Sequence, residues 1–345
     1  SVPISPWLYV LGVARFAVEH RPAWRGVPIQ TWVYPQDRET GFATFAEPTV
    51  QVLEFMAHRV GSYPYEKLAQ VQSNSVRGGM ESASAIFYGP TSATGERPGR
   101  WRNVIIHEIA HQWFGNSVTE DDWDHVWLSE GFATYFTHLF IEHSEGRDAF
   151  VARLQDDKDI IRSFDEKQPD YRIVHDELAD MRRVVTQPGT YKKGAWVLHM
   201  LRGVIGDDAF WSGIREYYAR YRNANASTAD FRRVMEDARG GELGWFFDQW
   251  LTRGGMMKVQ GTWVWDAGTL RLEVEQTQAA SPFRMPIEVG IDITGEPYLR
   301  VETIEVRGRK QSFALPVEAE PRAVALDPRQ FVLMDVDFSR GEIEP

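Results

Sequence analysis

The five residues His107-Glu108-Ile109-Ala110-His111 constrain this chain more than any other stretch of it. On a helix, side chains four positions apart stand one above the other, so both imidazoles project from one face toward a single point. Glu108, one position on from His107, is placed to reach a water held at that point. The sequence must therefore be helical here, and the apolar-rich run from Trp101 to Phe114 is suited to that. Because the chain contains no cysteine, an ion gathered by the two histidines has only imidazole and carboxylate donors available.

A catalytic zinc takes a third protein ligand and keeps one position open, where it lowers the pKa of a water to about 7. Glu130 answers that need. It follows His111 after eighteen intervening residues, in LSEGFATYF, near the start of the next predicted helix, Leu128 to His143. A helix-loop-helix hairpin brings it beside the histidines. A carboxylate at that place also suits a helix N-terminus, where it complements the dipole. The expected centre is His107, His111 and Glu130 around about one Zn2+ per chain, with Glu108 as general base.

The rest of the chain falls into two textures. Val27 to Pro35, Lys67 to Gln72 and Ala83 to Tyr88 read as strands, as does the apolar run Trp7 to Val18. Helices are predicted over Pro48 to Val60, with the proline in the first turn, and over Tyr191 to Ile205, Thr228 to Arg239 and LGWFFDQWL up to Gly254-Gly255. Beyond Met256 the pattern becomes β, with Leu270, Leu272 and Val274 alternating against Arg271, Glu273 and Glu275. Residues 256–345 are expected to form a small all-β sandwich after the α+β region that carries HEIAH.

The net charge of -11 argues against nucleic acid or an anionic membrane as partner, since both recruit basic patches. No apolar run approaches the ~20 residues of a membrane span, and the first residues carry no signal-like or targeting pattern, so a soluble protein of unassigned compartment is expected.

Four motifs in order, GGMES (Gly78 to Ser82), HEIAHQWFGN (His107 to Asn116), WLSEGFATY (Trp127 to Tyr135) and TYKKGA (Thr190 to Ala195), resemble the aminopeptidase N family of gluzincin metallopeptidases. The resemblance reaches to about Gly255. It implies a thermolysin-like zinc peptidase domain over 21–255, followed by the β-sandwich over 256–345 and preceded over 1–20 by the remnant of a β domain, acting on peptide substrates. It also implies zinc ligation by His107, His111 and Glu130, base action by Glu108, and a tyrosine over the reacting carbonyl at Tyr191, where a phenol can donate to a developing oxyanion. The family's glycine-rich motif lies along the substrate, here Gly78, Gly79 and Met80, and its glutamate, here Glu81, binds the free α-amino group. Ser82 departs from the family's usual asparagine. Removal of N-terminal residues is the expected activity; a thermolysin-type endopeptidase and a non-catalytic binding or scaffold protein are the alternatives. Glu120, Asp121, Asp122 and Asp124 read as a solvated acidic loop, and the i, i+4 pair His138 and Glu142 as part of an exposed helix face.

Overall fold

The computed structural model describes residues 2–95 and 99–342. Strands β1 (Ala17–Trp24) and β2 (Val27–Val33) lead into helix α1 (Arg38–Arg59), then β3 (Leu68–Gln72), β4 (Gly79–Met80) and β5 (Ala85–Tyr88). These strands make one sheet in the order β1-β2-β3-β5-β4, so the short glycine-bearing β4 is an edge, paired antiparallel to β5. Helix α2 (Arg100–His111), β6 (Val118–Glu120), α3 (Trp127–Glu145) and α4 (Arg147–Asp165) follow. After a π-helical turn at Gly189–Lys193 come α5 (Gly194–Ile205), α6 (Asp207–Tyr221), β7 (Ala224–Ala226), α7 (Thr228–Arg239) and α8 (Gly244–Leu251).

The helix α3 is the centre of this half. Every residue from Trp127 to Ile141 is buried, so it is apolar all round rather than along one stripe, as befits a helix enclosed by others. Phe132 and Phe136 on α3 meet Phe114, Tyr217 and Phe231, with ring centroids 4.6 to 6.5 Å apart. That aromatic packing fixes α3 against the end of α2. At the other end of the series, Ser227 and Asp230 form a reciprocal capping box that starts α7, which spans the residues its sequence predicts.

The second half is all β. Strands β8 (Met257–Asp266), β9 (Thr269–Gln276), β10 (Met285–Ile293), β11 (Arg300–Val306), β12 (Lys310–Pro316), β13 (Pro321–Leu326) and β14 (Met334–Arg340) form a three-stranded sheet, β11-β10-β13, and a four-stranded sheet, β12-β9-β8-β14. Leu270, Leu272 and Val274 of β9 are buried while Arg271, Glu273 and Glu275 are exposed, as the alternation predicts. Arg162 of α4 ties the halves together: its guanidinium donates to Asp335 of β14 through Nε at 3.0 Å and Nη2 at 2.5 Å.

Two predicted elements differ. The helix α1 begins ten residues before Pro48, which lies in its interior. Gly41, Thr44, Phe45, Thr49, Val52, Leu53 and Met56 form one buried face across the proline, and that burial outweighs the lost backbone hydrogen bond. The run predicted as a strand from Trp7 to Val18 opens instead in a 3-10 turn at Pro6–Leu8, and regular β structure starts only at Ala17. Tyr9, Leu11 and Val13 are 79 to 87% exposed, and only Leu8 is buried, with its carbonyl accepting from Ala83 N. Without a partner strand, β-prone residues do not make a ladder.

Among the described residues no helix is long and apolar enough to cross a membrane.

Candidate functional site

The α2 helix delivers His107 and His111 from its last two turns, and α3 delivers Glu130 from its first. Their donor atoms converge. His107 Nε2 stands 3.0 Å from His111 Nε2 and 3.1 Å from Glu130 Oε2, and His111 Nε2 lies 3.3 Å from that same oxygen. A tetrahedral ion with bonds of about 2.0–2.1 Å holds its donors roughly 3.3 Å apart, so the spacing fits zinc. The donor chemistry fits as well: a single proton can bridge two of these three lone pairs, whereas a cation satisfies all three.

The tautomer of His111 is set from behind. Its Nδ1 lies 3.1 Å from Phe114 O and 3.1 Å from Ser129 Oγ, and because a carbonyl only accepts, Nδ1 carries the hydrogen and Nε2 presents a lone pair to the centre. Gly115 makes this possible. It has φ +108°, and a Cβ there would stand 2.2 Å from Ser129 Oγ. The sequence reading did not single out Gly115 or Ser129, although both lie inside the motifs.

Around the centre the field is strongly negative. Burial by itself would lower the pKa of His111, but the carboxylates of Glu81, Glu130 and Glu108 outweigh it and raise it to about 10. Burial works against ionised Glu130 too, yet the His111 charge and its contacts with both imidazoles hold its carboxyl well below the usual range. Burial and the neighbouring Glu81 charge push Glu108 well up. A site that draws protons onto imidazole this way is one that favours a cation.

The π-helical turn before α5 carries Tyr191, and such turns recur at functional positions. The Tyr191 hydroxyl donates to Glu130 Oε1 at 2.6 Å, and its ring lies parallel to His107 with centroids 6.0 Å apart. Burial, then the Glu130 charge, pushes the phenol far up, so it stays a donor. Tyr171 OH and Thr190 Oγ1, 2.6 Å apart, brace this turn.

Glu81 follows the edge strand β4. Its carboxylate comes within 4.8 Å of donor atoms of Glu108 and His111. Its carbonyl accepts from Gln112 Nε2 at 2.9 Å and Asn116 Nδ2 at 2.6 Å, two side chains from the run after HEIAH. The sequence reading gave Gln112 and Asn116 no role; their place in the same motif as His111 was the available signal. Gly79 and Met80 line the cleft with Glu81, while a Cβ on Gly78 would meet open space.

Two cavities meet at this centre. One, of about 370 Å3, contains Glu81, Glu130 and His111 and is walled by Trp7, Trp123 and Met181. Trp7 and Trp123 touch, with ring centroids 5.6 Å apart. The other, of about 680 Å3, extends past Tyr191 to Thr137, His138, Arg153 and Lys192. Gly79, His107, Glu108, Thr186 and Tyr191 border both.

Two expectations about neighbouring polar residues are corrected. Glu120 is not in solvent: it is buried in β6, neither carboxylate oxygen has a partner among the described residues, and burial raises its pKa to about 8. Asp124 is also structural, accepting from the backbone N–H groups of Glu177 and Leu178 at 2.8 and 2.9 Å. His138 and Glu142 are not on an exposed face either. His138 is buried with Nε2 2.8 Å from Asp157 Oδ2, and Glu142 accepts from Arg147 Nη1 at 2.8 Å. The crowding of α4 and α5 around α3 covers both.

Residues 45–250 match the family model described as the peptidase family M1 domain. The chain is 29% identical over 267 residues to glutamyl aminopeptidase of Mus musculus, covering 74% of this chain and 28% of that protein. It is 30% identical over 273 residues to the Bos taurus protein of the same name, with the same coverage. The probable aminopeptidase 2 of Sulfurisphaera tokodaii is 27% identical over 272 residues, covering 72% of this chain and 32% of that protein. The chain thus spans about a third or less of the length of these relatives. The crystal structure of Legionella pneumophila aminopeptidase A in complex with aspartic acid superposes with a TM-score of 0.76 at 19% identity, covering 96% of this chain and 38% of that one. With its site carried by motifs that lie within or border the matched region, the chain belongs to peptidase family M1.

Proposed function

We propose that this protein is a zinc-dependent aminopeptidase in which His107, His111 and Glu130 hold the metal. The observation that carries this reading is the meeting of three donor atoms 3.0 to 3.3 Å apart beside a buried carboxylate, a phenol and a second carboxylate on an edge strand. Zinc bound there would polarise the scissile carbonyl and lower the pKa of a water. Glu108 takes a proton from the attacking water and passes it to the leaving amine; its raised proton affinity suits both halves of that transfer. Tyr191 turns its O–H from Glu130 to the carbonyl oxygen as charge develops on it. The free edge of β4 pairs with the substrate backbone, and Glu81 meets the α-ammonium, which fixes the first peptide bond over the metal ligands.

The competing endopeptidase reading has no use for a carboxylate at Glu81, and the non-catalytic reading none for the base and phenol together. The test compares one short peptide with its N-acetylated form in parent and Glu81→Gln protein. The parent should trim the free peptide preferentially, and the preference should shrink in the variant. Internal cleavage of acetylated peptide as fast as trimming of free peptide would replace aminopeptidase by endopeptidase.

A further inference from the structure

The aminopeptidase reading gives the two cavities different tasks. With the ammonium at Glu81 in the smaller one, the scissile bond lies at His107, Glu108 and Tyr191, and the residue after that bond enters the larger one. This larger cavity is unlike the rest of the molecule in charge. The chain carries a net charge of -11, yet among the described residues Glu108 is the only carboxylate lining it, while Arg153, Lys192, His107 and His138 are its basic groups.

Lys192 is already neutralised, since its ammonium is paired with buried Asp157, which also accepts from His138. Arg153 is not. It projects from α4, is half-buried, and has no hydrogen bond or ion pair among the described residues, although arginines elsewhere in the chain are paired repeatedly. A half-buried guanidinium with its donors unspent, in a cavity whose polar walls include Asn103, Thr134, Thr137 and Thr186, is a receptor for a planar anion.

Resting on the aminopeptidase reading, we infer that Arg153 selects a carboxylate on the residue that follows the scissile bond. That carboxylate can be an Asp or Glu side chain at the second position of the substrate, or the C-terminal carboxylate of a dipeptide. Arg153 touches none of the reacting atoms, so it determines specificity and leaves the chemistry alone.

The experiment uses tripeptide amides with Glu or Gln at the second position, a dipeptide with free or amidated C-terminus, and the simple amide of the N-terminal amino acid, whose leaving ammonia puts nothing in the larger cavity. Parent protein should cleave the Glu peptide about tenfold better in kcat/KM than the Gln peptide, the size of one hydrogen-bonded charge pair. Arg153→Gln should bring that ratio to about one, Arg153→Glu should invert it, and Arg153→Lys should restore part of it, all with the rate on the amino acid amide unchanged. If only the dipeptide pair responds, the terminal carboxylate is the ligand; if only the tripeptide amides respond, the side chain is. Equilibrium binding of the same pairs to Glu108→Gln protein by calorimetry reads the ratio without turnover. A ratio near one in parent protein for both pairs, in turnover and in binding, overturns the inference even when the amino acid amide is cut, whereas failure to favour free amines over acetylated ones overturns the aminopeptidase reading instead.

Discussion

Gly79 and Glu108 meet so closely that a methyl group on the glycine would stand 2.1 Å from Glu108 Oε1. The edge strand and the proposed base are therefore in van der Waals contact, and Glu108 Oε2 is buried without a hydrogen-bond partner among the described residues. The contact holds the carboxylate where the α2 helix alone would leave it free to rotate.

Gly79→Ala should accordingly displace Glu108 and leave the three metal donors where they are. A shift of about 1 Å in a reacting group costs on the order of 10²-fold in rate, and that loss is expected in kcat with zinc content unchanged. An alanine variant with parental turnover would show that the base is positioned by something other than this contact.

Zinc retention should depend on Glu130. Protein purified without chelator is expected to contain about one zinc per chain by elemental analysis, and Glu130→Ala should lose most of it on dialysis. Equal retention in parent and variant would remove Glu130 from the ligand set and leave its contacts with both imidazoles as simple ion pairs.

Metal binding and turnover should separate at Tyr191 and Glu108. Since the Tyr191 hydroxyl touches Glu130 Oε1, the oxygen other than the one facing the imidazoles, Tyr191→Phe should keep the metal and lose about 10²–10³ in rate. Glu108→Gln should likewise keep zinc and lose turnover. Activity close to parental in either protein rules that side chain out of the mechanism.

His199 should make the fold sensitive to acid. It is buried between Tyr135 OH, 3.1 Å from Nδ1, and Gln330 O, 2.9 Å from Nε2. The carbonyl only accepts, so Nε2 carries the hydrogen, Tyr135 donates to Nδ1, and the ring must be neutral to keep both bonds. Burial holds its pKa down to about 3. Above pH ~6.5 the ring is neutral folded or unfolded and contributes no pH dependence. Below that, the unfolded chain takes up a proton the folded protein refuses, so stability falls as pH drops toward 3, by up to about 1.4 kcal/mol per pH unit. Urea unfolding between pH 7 and 4 should show a shallower pH slope for His199→Gln than for the parent; identical slopes would mean His199 is not the group responsible.

What the sequence determined by itself is what depends on local repeat geometry. The four-residue spacing of His107 and His111 places them on one helix face, the two-residue alternation of β9 buries Leu270, Leu272 and Val274, and the Ser227 and Asp230 pair starts α7 where the sequence says. Matters of distant packing were decided only by the tertiary structure. Pro48 became helix interior because its flanks share a buried face, and Trp7 to Leu11 failed to become a strand because, among the described residues, it joins no ladder with a neighbouring strand. Glu120 left the solvent because β6 pairs with β7, more than a hundred positions on in the chain. Glu81 is oriented by Gln112 and Asn116, 31 and 35 positions away, and Arg153 reaches the cleft only because α4 folds back along α3. Periodicity tells which face of an element turns inward; which other element it then meets is settled by the packing of the whole chain.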